Sequence, residues 1–202
     1  MISTSRYFRV RTVLPLCATL LACSPRTEVA AAPPAAAAPE PVSPAPADSS
    51  RAAADSFPWL QVDSAARTAS LDLVVTRKAG APSALINGYR AGEARIIIPV
   101  GWTVKWNWRS TDSTASHSLV VMVQREKIPL EGGRASFSNA MTRMVTEGLR
   151  PGQIDQSTFE AEEAGWYWMM CGVPGHALEG EWLELRVDPE SKTARVELKK
   201  KP

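Results

Sequence analysis

The sequence predicts an all-β fold, an antiparallel sandwich or barrel crossed by one short helical segment. Three observations point there. Apolar residues recur with a period of two rather than 3.6. The alternating runs are short, and Gly and Pro separate them. Only one stretch, from Ser136 to Gly148, shows helical spacing.

The elements follow in chain order. Leu71, Leu73 and Val75 alternate, with Val74 breaking the polarity of the opposite face. Arg95 to Val100 is a short apolar run, closed by Pro99 and a turn at Gly101. From Trp102 to Arg109 every second residue is apolar, as in a half-buried strand. His117, Leu119 and Val121 share one face of the next strand. Phe137, Met141 and Met144 then fall at helical spacing, and Gly148 is a plausible stop, which predicts a helical crossover over one end of the sandwich. Tyr167, Met169 and Cys171 share a face, with Met169 expected in the core and Met170 facing away. In the last clear strand Glu181, Leu183, Leu185 and Val187 lie on one side, and Trp182, Glu184, Arg186 and Asp188 on the other. Most of the seven tryptophans are expected to pack the core or cover it.

The organisation around this domain is read from composition. The chain has 202 residues and a formal net charge of +2, so its charge balance gives no sign of nucleic-acid binding. Residues 1–22 read as an export signal. Arg6, Arg9 and Arg11 precede an apolar run from Val13 to Ala22 that is too short for a standard spanning helix. The run ends in Leu20-Leu21-Ala22-Cys23, which resembles a bacterial lipobox and predicts lipidation of Cys23; an ordinary secretory signal is the alternative. Residues 24–56 are dominated by Ala and Pro and offer almost nothing large and apolar to bury. In polyproline geometry such a spacer reaches on the order of 100 Å. Residues 57–189 form the expected globular domain, extended to Leu198 if the tail pairs, and 190–202 a basic tail.

Cysteine and histidine are scarce, with three of one and two of the other. If Cys23 is lipidated and Cys17 removed, Cys171 has no partner for a disulfide in an exported, oxidising compartment. It stands in Cys171-Gly172-Val173-Pro174-Gly175-His176-Ala177-Leu178-Glu179-Gly180-Glu181-Trp182. Here a cysteine ends a strand and a Gly-Pro-Gly loop turns the chain back to a histidine. The only other histidine, His117, begins an apolar strand. Two imidazoles and one thiolate with a weak axial contact make a copper electron-transfer site.

These residues resemble the cupredoxins, and among them the sulfocyanin-like blue copper proteins. Further likeness lies in Trp59-Leu60-Gln61-Val62-Asp63, Ile86-Asn87-Gly88-Tyr89, Ile98-Pro99-Val100-Gly101-Trp102 and His117-Ser118-Leu119-Val120-Val121. The resemblance implies a Greek-key β-sandwich, one type 1 copper held by His117, Cys171 and His176, and electron transfer without enzymatic chemistry. It places the Ser118 amide as a hydrogen-bond donor to the Cys171 sulfur. One position departs from the pattern: a methionine is expected five residues after the second histidine, and Glu181 stands there. Strand alternation aims Glu181 inward, where an unpartnered carboxylate is costly and copper is an available partner. The alternative is a carboxylate swung to solvent, leaving copper three-coordinate or contacted by the Ser116 carbonyl.

The expected partners are a redox donor and acceptor docking briefly near His176, through an apolar patch of Val173, Pro174, Ala177 and Leu178. The lipid anchor would hold a monomer on the periplasmic or cell-surface side of a membrane, with no nucleic acid involved. Competing classes fare less well. A copper enzyme with a second copper site needs more histidines, and a dinuclear copper domain needs a second bridging cysteine. An exported copper carrier or storage protein could use the same ligands. So could a structural zinc site.

Overall fold

A computed structural model describes residues 57–199. The signal, lipidation and linker expectations for residues 1–56, and Lys200 and Lys201 of the tail, lie outside that range. Among the described residues are ten strands: β1 (Leu60–Asp63), β2 (Thr68–Thr76), β3 (Leu85–Ile86), β4 (Ala94–Pro99), β5 (Thr103–Ser110), β6 (Val120–Val123), β7 (Ile154–Glu160), β8 (Gly165–Met170), β9 (Trp182–Asp188) and β10 (Arg195–Leu198).

They form two five-stranded sheets. One runs β1-β2-β5-β7, with β3 also on β2; the other runs β10-β4-β9-β8-β6. Two pairs, β2 with β5 and β4 with β9, are parallel, and the rest are antiparallel. The fold is an all-β two-sheet sandwich, as the sequence predicts, but with these two parallel pairs it is not wholly antiparallel.

The alternation seen in the sequence becomes the core. Leu71, Leu73 and Val75 of β2 and Val104, Trp106 and Trp108 of β5 face Ile96, Ile98, Met169, Leu183, Leu185 and Val187 of the other sheet. Burying such side chains is the main favourable term in folding, at roughly 25 cal/mol per Å² of apolar surface. The second sheet is also covered on its outer face near β6. There Val120, Trp168, Met170 and Ala177 form a smaller cluster, packed by Met122, Ile128, Val145 and Trp182. Trp182 thus has a packing role, and Met170 faces away from the main core yet is fully buried.

The stretch from Ser136 to Gly148 is not helical; it consists of bends, turns and an isolated bridge from Met141 to Val120. Within itself its backbone makes only isolated bonds, such as Gly148 N–H to the Met144 carbonyl, and much of the rest serves β6 and its approach. Ser136 N–H donates to the Val121 carbonyl, Val121 N–H to that of Ala140, and Thr142 N–H to that of Leu119. A segment that satisfies the open edge of β6 cannot also close its own i to i−4 ladder. Asn139 and Met144, at φ 64° and 52°, interrupt any right-handed turn. Met141 and Met144 are exposed, so the helical spacing marks no buried stripe.

β7 and β10 give little sequence signal. Only Asp155 and Phe159 are buried in β7. β10 pairs with β4 and carries the sheet on to Leu198.

Candidate metal centre

Four side chains that could hold a metal ion converge at one end of the sandwich: His117, Cys171, His176 and Glu181. Their ligand atoms all lie within 4.8 Å of one another. Two of them sit just beyond strand ends, and His176 lies in the loop between these two. Cys171 follows β8, Glu181 precedes β9, and β8 pairs antiparallel with both β9 and β6. One end of the second sheet, with its β8–β9 loop, therefore delivers every donor.

His117 lies three residues ahead of β6 and not inside it. It forms an isolated bridge with Leu149, the two residues exchanging amide and carbonyl bonds of 3.2 and 2.7 Å. Its ring is fully buried.

The loop from Cys171 to Glu181 is closed by its own backbone. Cys171 N–H donates to the Glu181 carbonyl at 3.0 Å, and Glu181 N–H to that of His176 at 3.0 Å. The loop is clamped from below at Gly172, whose carbonyl accepts from Gly132 N–H at 2.8 Å. A Cβ on Gly172 would lie 2.8 Å from the Val145 carbonyl and 3.1 Å from Gly132 Cα, so only glycine permits this approach.

Glu181 points inward, as strand alternation predicts, and is 1% exposed. Each of its oxygens lies 2.9 Å from His117 Nδ1, and Oε2 lies 3.2 Å from His176 Nδ1. The orientation toward solvent does not occur. Burial opposes ionisation of Glu181, but hydrogen bonds from His117 and His176 hold its carboxyl below the usual range. Burial likewise opposes charge on His117, and Glu181 outweighs it, raising the imidazole above its ordinary value.

Cys171 is the buried member without a strong partner. Burial, then the charge of Glu181, push its thiol up to about 12, against hydrogen bonds from the backbone amides of Ser118 and Val173. Ser118 N–H reaches the sulfur at 3.4 Å, the donor position that the resemblance implies. The sulfur lies 3.5 Å from His176 Nδ1. The Ser116 Cβ lies 2.9 Å from where a side chain on Gly148 would begin. Ala177 turns inward to the smaller cluster and does not join a surface patch. Val173 is half-buried, whereas Pro174 and Leu178 are exposed.

The donor set suits copper. One thiol, two imidazole Nδ1 atoms and a carboxylate oxygen lie close together, matching the soft and borderline ligands of an electron-transfer copper site. A cation there gives a buried thiolate the charge partner that the side chains alone do not supply.

Asp112 is a site residue that the sequence reading missed. Its Oδ2 lies 2.9 Å from His117 Nε2. Nothing in its spacing marks it, since a lone Asp after a strand reads as a turn residue.

The sequence model of the family described as the sulfocyanin (SoxE) domain matches residues 56–195. A sulfocyanin of Sulfolobus acidocaldarius is 28% identical over 126 residues, covering 59% of this chain and 63% of that protein. The chain thus spans less than two thirds of the length of this curated relative. Solved structures with some likeness include reduced rusticyanin, at 20% identity over 60% of this chain and 85% of that one, with a TM-score of 0.44. Rusticyanin from Thiobacillus ferrooxidans is 21% identical over 60% of this chain and 82% of that one, also at 0.44. The sulfocyanin match takes in all four clustered donors and the strands that hold them, so the chain belongs to the sulfocyanin (SoxE) domain family.

Proposed function

We propose that His117, Cys171, His176 and Glu181 together hold one copper ion, and that the domain passes single electrons between exported or membrane-bound redox proteins. The carrying observation is the convergence of the four donor atoms within 4.8 Å, three of the residues being buried and His176 alone reaching the surface. Copper, when bound, supplies the one-electron couple. The chain holds the donors still, so that little has to move between oxidation states. The closed loop from Cys171 to Glu181 restrains three of them, and the bridge to Leu149 restrains the fourth. Burial of the sulfur supports retention of the metal and so favours electron transfer over a carrier role, which needs rapid exchange.

His176, with its side chain 16% exposed, is the natural exit for the electron. Around it Pro174 and Leu178 are exposed, and so is Leu130, whose carbonyl accepts from Gly175 N–H. This apolar rim suits brief docking, with an interface below about 1,200 Å². Among the described residues no helix is long and apolar enough to cross a membrane. The proposed attachment is a lipid on Cys23, with residues 24–56 as spacer.

Visible absorption and EPR spectra of the copper-loaded full chain test the site. An intense thiolate-to-copper band is expected, and Cys171→Ser should lose it while the sandwich stays folded by circular dichroism. A coloured Cys171→Ser protein would sink the assignment. Mass spectrometry of protein from native membranes tests the anchor: a lipidated Cys23 at the N-terminus is expected, and an unmodified N-terminus elsewhere refutes it.

A further inference from the structure

Asp112 lies outside the four-donor cluster but touches it. It sits two residues past the end of β5 and is 3% exposed. Its own position is fixed from several sides. Asp112 N–H donates to Ser110 Oγ at 3.1 Å, and the Oδ1 atom accepts from Thr114 N–H at 2.8 Å and from the Thr114 hydroxyl at 2.5 Å. The other oxygen, Oδ2, lies 2.9 Å from His117 Nε2. Arg77 Nε lies 3.2 Å from that same oxygen, an ion pair whose N–H is not aligned for a hydrogen bond. Arg77 comes from just beyond β2, the parallel neighbour of β5, so adjacent strand ends deliver both charges.

The two ring nitrogens of His117 therefore have different surroundings. Nδ1 faces Glu181 and the cluster, and Nε2 faces Asp112, away from it. A carboxylate is an acceptor only, so both ring nitrogens face acceptors, and when a metal takes Nδ1 the remaining proton is held on Nε2 by Asp112.

We propose that Asp112 is a positioning residue for the copper site: by accepting the Nε2 proton of His117 it fixes the ring's orientation and tautomer and makes Nδ1 a stronger donor to the metal. The assignment rests on the proposal that His117 is a copper ligand. An anionic partner on the far nitrogen makes an imidazole more electron-rich, which favours Cu(II) over Cu(I). Partners of this kind typically account for a 10- to 100-fold effect on metal affinity when removed. Arg77 moderates the effect by sharing the carboxylate. Its second contact, at 3.8 Å, is Glu179 of the ligand loop, so one guanidinium ties the His117 side of the site to the loop carrying His176 and Glu181.

The test uses the full chain in wild type, Asp112→Ala and Asp112→Asn, loaded with Cu(II). Cu(II) affinity is measured by chelator competition, the reduction potential by redox titration, and the melting of each metal-free form by circular dichroism. Asp112→Ala should bind Cu(II) 10- to 100-fold more weakly and show a higher potential. Asp112→Asn, a neutral acceptor of the same shape, should recover much of the affinity while its potential stays above that of wild type. Affinity and potential unchanged in a folded Asp112→Ala chain would overturn the proposal. So would weaker affinity with no change of potential in either variant, which marks a purely structural role. If Asp112→Ala does not fold, ¹⁵N NMR of His117 in the wild-type Cu(I) form decides instead. A protonated Nε2 with metal-bound Nδ1 supports the assignment, and the reverse refutes it. A wild-type chain with no thiolate-to-copper band would refute the copper-ligand reading itself, a result distinct from all of these.

Discussion

Glu181 occupies the place where the sulfocyanin-like pattern has methionine, and its carboxylate faces both Nδ1 atoms of the site. An anionic oxygen near copper favours Cu(II) more than a neutral thioether does. Glu181→Met should therefore raise the reduction potential. A neutral thioether in place of the carboxylate would also compete less with the Cys171 sulfur for copper, and a bluer spectrum is expected. Redox titration and visible spectra of the two proteins check this; unchanged values in both would remove Glu181 from the ligand set. Glu184, three residues on, is a charged residue with a different task. Burial opposes its ionisation, but Arg95 at 2.6 Å and Lys199 at 3.0 Å hold its carboxyl below the ordinary value of 4.5. A depressed folded-state pKa adds stability that is complete above the unfolded value and is lost as pH falls through the folded one. Because Arg95 and Lys199 are partly exposed, the contribution is on the order of 1 kcal/mol. Urea denaturation of wild type and Glu184→Gln should show that difference at pH 7, and it should shrink as pH falls below about 4.5 and vanish below the folded-state value.

At the level of elements, the ligand loop depends on a close backbone approach. Gly172 lies against Gly132 and Val145, and Gly132 N–H bonds its carbonyl. Gly172→Ala places a methyl 2.8 Å from the Val145 carbonyl, so backbone has to shift. Overpacking of this kind costs typically 1–3 kcal/mol. The denaturation midpoint should fall accordingly, and the copper spectrum should broaden because Cys171 is the adjacent residue. An unaltered spectrum with full stability would show that the loop has slack. The stretch from Ser136 to Gly148 works at the same level. By bonding to Leu119 and Val121 it covers the edge strand that follows His117, so it steadies the site without being a helix.

For the whole molecule, the strands that carry the site, β8 and β9, also carry core residues, so metal binding and folding are linked. A ligand that binds only the folded chain adds about 2.7 kcal/mol of stability when free ligand is 100 times Kd. Copper-loaded protein should thus melt higher than metal-free protein, and removal by a chelator should reverse the rise. Cys171→Ser should lose most of the gain. Equal melting temperatures with and without bound copper would mean that the metal does not depend on the folded arrangement. Deep in the sandwich, Leu183→Ala should cost about 2–5 kcal/mol. It is fully buried between the sheets.

The sequence by itself determined the all-β class, the core faces of β2, β5, β8 and β9, and the meeting of His117, Cys171 and His176. The reason is that a period of two reports directly which side chains share a face, and scarce histidines leave one way to complete the ligand set. It also aimed Glu181 inward, because strand alternation continues through that position. Only the tertiary structure decided the rest. The apparent helix from Ser136 to Gly148 is an irregular cover for β6, since backbone groups take the strongest partners in space and not the nearest in sequence. β7 was hidden because most of its residues face solvent. Asp112 is tied to His117 by a turn whose spacing carries no pattern. Ala177 faces a second small core that no alternation could reveal, because both faces of that sheet are buried there.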